Sequence, residues 1–365
     1  MSFKCGLVGL PNVGKSTLFN LLTKSNISAE NYPFCTIQPN IGISPIIDKR
    51  LCKISKIESS KKIIFTYIKF VDIAGLVKGA SKGEGLGNQF LSHIREIDAI
   101  IHVVRCFENK KIVHVHDIID PVQDVEIINM ELALSDLKLC EKSILRIEKN
   151  IKKNDRKDLK KIVFLKKCIK YLEKFSTLKN IELDKEEIFY VRELKFLTLK
   201  PMMYVANIDE TENSNFLYFK IKNFLKKEKF NIISISLSKL KDMKGNKPKS
   251  DDDKKENYYY FNTKNNILNK ITEKGSKLLN LKTFFTVGPK ESRAWSIKEN
   301  TTVLDAAKKI HSDLKRGFIR AQVMSYTDFI NYKGEKGVKS AGKYRTEGKD
   351  YIVQDGDILQ ILFKV

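Results

Sequence analysis

Eight residues near the N-terminus, Gly9-Leu10-Pro11-Asn12-Val13-Gly14-Lys15-Ser16, carry the spacing G-x-x-x-x-G-K-S. Glycine lets a backbone approach phosphate oxygens closely, so that successive N–H groups converge on an anion. Lys15 then reaches the β- and γ-phosphates of a nucleotide, and the Ser16 hydroxyl is a ligand for magnesium. The flanks separate such a loop from a chance glycine turn. Lys4 to Leu10 reads as a short buried strand, and Thr17-Leu18-Phe19-Asn20-Leu21-Leu22 opens an apolar-periodic helix whose N-terminus adds a positive dipole end. Asn12, Val13, Gly14, Lys15, Ser16 and Thr17 are therefore the expected phosphate-side contacts, with Lys15 also stabilising the reacting phosphoryl group.

A second constellation follows the strand-like run Ile68-Lys69-Phe70-Val71: Asp72-Ile73-Ala74-Gly75, a D-x-x-G element. Asp72 is placed to hold the magnesium through water, and the Gly75 N–H to face the γ-phosphate. Between the two motifs, Asn31-Tyr32-Pro33-Phe34-Cys35-Thr36 reads as a polar turn, with Thr36 the third metal residue, closing when the γ-phosphate is present. A further strand, Pro201 to Ala206, delivers Asn207-Ile208-Asp209-Glu210, where Asn207, Ile208 and Glu210 are the candidates for the base pocket, with Ser236-Leu237-Ser238, Ser236 first among them, at the last base-contacting position.

These strings resemble the YchF/Obg-like ATPase family, in the Obg-related branch of translation-factor-like GTPases. The segments that carry the likeness are GLVGLPNVGKSTLFN, NYPFCTIQPNIG, VDIAGLVKGASKGEGLGNQFLSHIREIDAIIHVVRCFE, TVGPKESRAWSI and the long C-terminal run from Phe318. The resemblance implies a P-loop nucleotide triphosphatase that hydrolyses ATP in preference to GTP. GTP-specific relatives place N-K-x-D at the base element; here Ile208 and Glu210 stand at the lysine and aspartate positions, which weakens guanine selection. Leu76 stands where Ras-like enzymes carry a water-orienting glutamine, so another group must orient water or turnover is slow. His114 matches the family position associated with hydrolysis, with His116 as a competitor and a plain loop histidine as the alternative. Asn12 is of the type that helps hold potassium beside the phosphates, making K+ a second candidate ion after Mg2+.

The bulk numbers fit a folded chain: 42% apolar and 30% charged residues, with no run of eighteen apolar residues to span a membrane and no signal-peptide pattern at the N-terminus. Six scattered cysteines without a C-x-x-C pair argue against a zinc site or a disulfide framework and for a reduced, cytoplasmic setting. A net charge of +23, from 67 basic and 44 acidic residues, favours a polyanionic partner such as a ribosome, rRNA or a tRNA-linked protein, without sequence-specific DNA reading. Lysine excess equally solubilises, so the charge alone leaves both readings open.

The expected fold class is α/β: a G domain with a mostly parallel sheet (1–121 and 199–281), an inserted antiparallel helical arm (122–198), and a C-terminal β-grasp unit resembling a TGS domain (282–365). The arm is read from apolar stripes at Met130, Leu134, Leu137, Ile144 and Ile151, and at Ile162, Leu165, Ile169 and Leu172, as two antiparallel helices each roughly 35–40 Å long. Lys239 to Phe261 reads as a low-complexity exposed loop. In the C-terminal unit Val303 to Lys315 reads as one helix, and Arg293, Trp295, Lys298, Lys315, Arg316, Arg320 and Lys343 are candidates for an RNA face, with burial of Trp295 the alternative. The leading function is a ribosome-associated nucleotide switch. Its rivals are a binding module with a structural nucleotide and a small-molecule kinase, the last disfavoured by the switch-type layout.

Overall fold

The structure is a computed structural model, and it describes residues 3–23, 40–73, 86–109, 111–114, 118–150, 156–174, 177–243 and 266–364. Thr36, Gly75, Leu76, His116 and most of the 239–261 segment lie outside those residues.

The first half alternates strands and helices: β1 (Lys4–Val8), α1 (Lys15–Thr23), β2 (Ile41–Ile46), α2 (Lys49–Glu58), β3 (Ile63–Ile64), β4 (Thr66–Asp72), α3 (Leu86–Glu96) and β5 (Ala99–Cys106). The second half continues with α4 (Pro121–Asn150), α5 (Arg156–Leu172), α6 (Lys185–Leu194), β6 (Met202–Ile208), α7 (Glu212–Lys227), β7 (Ile232–Ile235), α8 (Leu237–Met243) and α9 (Asn266–Leu278). Strands β2, β4, β1, β5, β6 and β7 form one sheet in that order, with β2 antiparallel to β4 and the other pairs parallel. All eight residues of β5 are buried, as expected of a central parallel strand covered on both faces. Ile54 and Leu51 of α2 are buried too, but not against this sheet.

Two helices of unequal length make the arm. At 1.5 Å per residue α4 runs about 45 Å and α5 about 26 Å, so the equal hairpin expected from the stripes is not what forms. The reason is that α4 serves two cores. Val125, Ile128 and Leu132 in its first half join the main sheet's core, whereas Cys140, with Leu137 and Ile144 alongside, packs against Phe164, Leu165, Cys168 and Leu172 of α5. The boundary expected at 121/122 therefore falls at the first turn of a continuous helix, and the separate arm core starts near Ala133. A 3₁₀ turn at Leu178–Asn180 and α6, opened by an Asp184–Glu187 capping box, complete the arm. Asp136, fully buried, accepts from Leu197 N (3.0 Å), Thr198 N and Thr198 Oγ1 (both 2.8 Å), pinning the returning chain to the arm's root.

The C-terminal unit comprises β8 (Leu281–Val287), β9 (Ser292–Lys298), α10 (Val303–Ile310), α11 (Ser312–Arg316), β10 (Phe318–Ser325), α12 (Tyr326–Asn331), α13 (Glu335–Ser340), β11 (Arg345–Glu347) and β12 (Asp357–Phe363). Its sheet runs β11, β10, β12, β8, β9, β3, and the last strand comes from the first half of the chain. Ile63 and Ile64 pair with Ser292 and Arg293, while Leu51, Ile54 and Phe65 share one apolar cluster with Phe285, Phe329, Val338 and Ile358. Arg50 closes this seam, donating to Asp48 (Nη2–Oδ2, 2.8 Å) and to Asp355 (Nη1–Oδ2, 2.6 Å). The continuous helix expected from Val303 to Lys315 breaks at His311, whose Nδ1 accepts from Asp313 N and caps the second piece.

Trp295 is half-buried, stacked at 6.2 Å on Phe284, with Arg293 4.1 Å above its ring and its indole N–H donated to Thr286. Of the basic residues expected on an RNA face, Lys315 and Arg316 are engaged with Asp305 and Asp313.

Candidate functional site

The phosphate loop joins β1 to α1 at the middle of the main sheet. Gly9 has φ 155° and packs against the Val103 backbone of β5; Gly14 has φ 105°, where an added Cβ would stand 2.7 Å from Leu237 and 2.9 Å from the Asn207 amide. Both positions thus require glycine for conformation and for space. Asn12 takes the left-handed region at φ 62°, as asparagine tolerates, and donates Nδ2 to the Val113 carbonyl at 3.2 Å. Lys15 is buried and donates Nζ to the Leu10 carbonyl at 2.7 Å across the loop. Burial lowers its pKa to about 8, opposed by the negative charge of Asp72. Behind the loop, His102 on β5 is held neutral: burial, then the nearby Lys15 charge, lowers its pKa to about 3.

Asp72 ends β4 beside Leu7 of β1, and Ser16 stands exposed on the first turn of α1. A hydroxyl and a carboxylate around one ammonium are the oxygen donors a hard divalent ion takes, so these two residues fit magnesium. Thr36 and Gly75, the other residues expected there, lie outside the described residues.

A cavity of about 560 Å3 opens beside the loop. Asn12, Gly14, Lys15, Ser16 and Thr17 line it from the phosphate side; Asn207, Ile208 and Asp209 line it from the end of β6, with Leu237, Ser238 and Lys241 from α8. Asn207 fixes the two sides to each other, donating Nδ2 to Val13 O (3.1 Å) and accepting at Oδ1 from Leu237 N (3.3 Å). Burial of Asn207 with both amide roles engaged sets its orientation before any ligand arrives.

Glu210, Ser236 and His114 stand off the cavity, while Val13 keeps its place in the loop with its side chain turned under it. Glu210 is 73% exposed and paired with Lys239 of α8 rather than facing the cavity; the tight Asx turn at Asp209, whose Oδ1 accepts from Thr211 N and Oγ1, swings residue 210 outward. Asp209 lines the cavity in its place. Of Ser236-Leu237-Ser238, Leu237 and Ser238 line the cavity from the start of α8, and Ser236 stops one residue short, bonded to Ser238. Val13 is buried beneath the loop, serving through its carbonyl. His114 is buried against Asp124 of α4 (Nε2–Oδ2, 3.2 Å) and does not line the cavity. Lys239 to Met243, read as loop, is the end of α8.

Sequence reasoning missed the remaining wall. Phe107, Glu108, Asn109 and Ile112, between β5 and His114, face the cavity opposite the base element. Phe107 and Glu108 close the family-like segment that ends RCFE, but no chemical motif gives them a role, and Asn109 and Ile112 had only their position after a strand as a signal.

A glycine loop between a parallel strand and a helix, facing an asparagine at the end of a distal strand of the same sheet, defines a P-loop nucleoside triphosphatase of the G-domain type. Within that class the chain belongs to the YchF family. It is 52% identical to the Ribosome-binding ATPase YchF of Buchnera aphidicola subsp. Acyrthosiphon pisum (strain APS) over 100% of both chains, and 49% identical to that of Escherichia coli O157:H7, again over 100% of each. Family models for a 50S ribosome-binding GTPase and for YchF-GTPase_C, described as a protein of unknown function, match residues 4–167 and 281–364. The solved Schizosaccharomyces pombe YchF GTPase is 34% identical with a TM-score of 0.83, covering 99% of this chain and 98% of that one.

Proposed function

We propose that this chain hydrolyses ATP, in preference to GTP, to ADP and phosphate in the cytoplasm, and that nucleotide occupancy governs its association with the ribosome. The observation that carries the reading is the single cavity wall shared by the phosphate loop and the Asn207–Asp209 element, locked together through the Asn207 amide. Guanine selection needs a carboxylate to accept from two ring-edge N–H donors. Glu210, at the position of the guanine-reading aspartate, faces solvent beside Lys239, so no carboxylate answers that demand from that position. The ribosome enters through the relatives, which are named for binding it.

Lys15 leaves the Leu10 carbonyl for the β- and γ-phosphate oxygens, and loop N–H groups with the α1 N-terminus hold the rest of the chain of phosphates. Ser16 and Asp72, with Thr36, would hold magnesium, which would screen charge on the transferring group. Asn12, whose Nδ2 is engaged by the Val113 carbonyl, would be the residue that holds potassium as the second ion. The Gly75 N–H and His114 complete the hydrolytic set, His114 by exchanging Asp124 for the attacking water.

Titrating labelled ATP against labelled GTP tests the base reading, and a tighter GTP would overturn it. Lys15→Ala should abolish binding of either; undiminished uptake would remove the phosphate cage. The second reading, a structural nucleotide with negligible turnover, is favoured by the His114–Asp124 contact that keeps the imidazole off the cavity. Single-turnover hydrolysis with and without ribosomes and potassium separates the two, since the switch reading requires an acceleration.

A further inference from the structure

Arginine occurs ten times among the 67 basic residues, so lysine is this chain's default cation and an arginine stands out wherever a fork of donors is needed. Arg105, at the end of β5, is 1% exposed. It forms no ion pair shorter than 4 Å among the described residues; its charge is balanced at longer range by Asp124 and Glu108. Instead the guanidinium gathers three backbone carbonyls: Nε donates to Phe107 O (3.1 Å), Nη1 to Ile112 O (3.1 Å) and Nη2 to Asn109 O (3.4 Å). Its plane also lies over the Phe107 ring, 4.7 Å from the centroid.

Those three residues belong to the cavity wall opposite the base element. The wall has two further fastenings: Asn213 Nδ2 to Glu108 Oε1 (2.5 Å) and Asn12 Nδ2 to Val113 O, which ties it to the phosphate loop. The connection has a turn of its own, Ile112 N donating to Asn109 O at 3.0 Å, and ordering each of its residues costs about 1–2 kcal/mol. A buried fork that satisfies three carbonyls removes that ordering step from ligand binding. A lysine ammonium, a point charge on a flexible stem, would not span three acceptors in one plane.

We propose that Arg105 is a positioning residue of the nucleotide cavity, whose guanidinium holds Phe107, Asn109 and Ile112 as a preformed wall so that nucleotide meets an ordered surface. The inference rests on the cavity being the nucleotide site. The test compares Arg105→Lys with the unaltered protein in the dissociation constants for ATP and ADP, kcat and KM, and amide hydrogen exchange at Phe107, Asn109 and Ile112 without nucleotide. Expected are a roughly tenfold to hundredfold weaker binding, faster exchange confined to the wall, and a rise in KM with kcat held within about threefold, since the phosphate machinery is untouched. Affinity within twofold of the unaltered protein, or unchanged exchange at the wall, overturns the proposal. If Arg105→Lys does not fold, Asn213→Ala decides: Asn213 is exposed, and loss of its bond to Glu108 should weaken binding about threefold or more, whereas no change rejects the preformed wall. Failure of the unaltered protein to bind either nucleotide is a different result, striking the function reading itself.

Discussion

Lys15 is a buried ammonium whose hydrogen-bond acceptor is its own loop, through the Leu10 carbonyl, and burial lowers its pKa to about 8. A triphosphate adds negative charge at the same spot and raises that pKa. A group whose pKa rises on binding takes up protons as the complex forms, so affinity should be flat below about pH 8 and fall above it, by up to about tenfold per pH unit. Calorimetry at about pH 8.5 in two buffers of different ionisation enthalpy should register proton uptake on binding ATP; identical heats would take Lys15 off the phosphates. Residue identities on this side of the cavity were legible from the motif, because each has a geometric reason to be glycine, lysine or a hydroxyl. On the base side the motif located Asn207 and Ile208 but expected residue 210 where Asp209 stands. Whether residue 209 or 210 faces inward depends on an Asx turn set by Thr211, and spacing alone does not encode that choice.

Elements were legible where one core governed them, and misread where two did. The stripe Ile162, Leu165, Ile169 and Leu172 packs as a helix face, but α4 changes partners along its length, so its pattern never settles to one period. The joint between the arm and the main sheet is Asp136, with three short hydrogen bonds to Leu197 and Thr198, beside Arg95 at the end of α3 (Nη2–Oδ1, 4.0 Å). Removing it strands two backbone donors and a hydroxyl in a dry interior. Asp136→Ala should therefore lower stability to chemical denaturation by about 3 kcal/mol or more, and a loss under about 1 kcal/mol would show that water fills the gap. Lys200, which donates to the Arg95 and Ile97 carbonyls, ties the same joint to the loop before β5.

At the scale of the molecule, the sequence announced two sheets but not that one borrows from the other's half of the chain. Nothing in Lys49–Glu58 signals which apolar partner its buried face meets, since burial patterns report that a face is covered and not by what. Leu51 and Ile54 supply the floor of the C-terminal unit's cluster, so Leu51→Ala should cost about 3 kcal/mol and lower the melting of both halves together in scanning calorimetry. Two separate transitions, with only one displaced, would mean that the halves fold independently. The single residue Phe65 stands between Ile64, the last residue of β3 paired in the distal sheet, and Thr66, the first of the strand that ends at Asp72. That leaves no slack to absorb relative turning, and Thr66 is itself fastened to Ser296 by their hydroxyls at 2.9 Å. A load on the far sheet would therefore reach Asp72 along one seven-residue strand, with nothing between to absorb it.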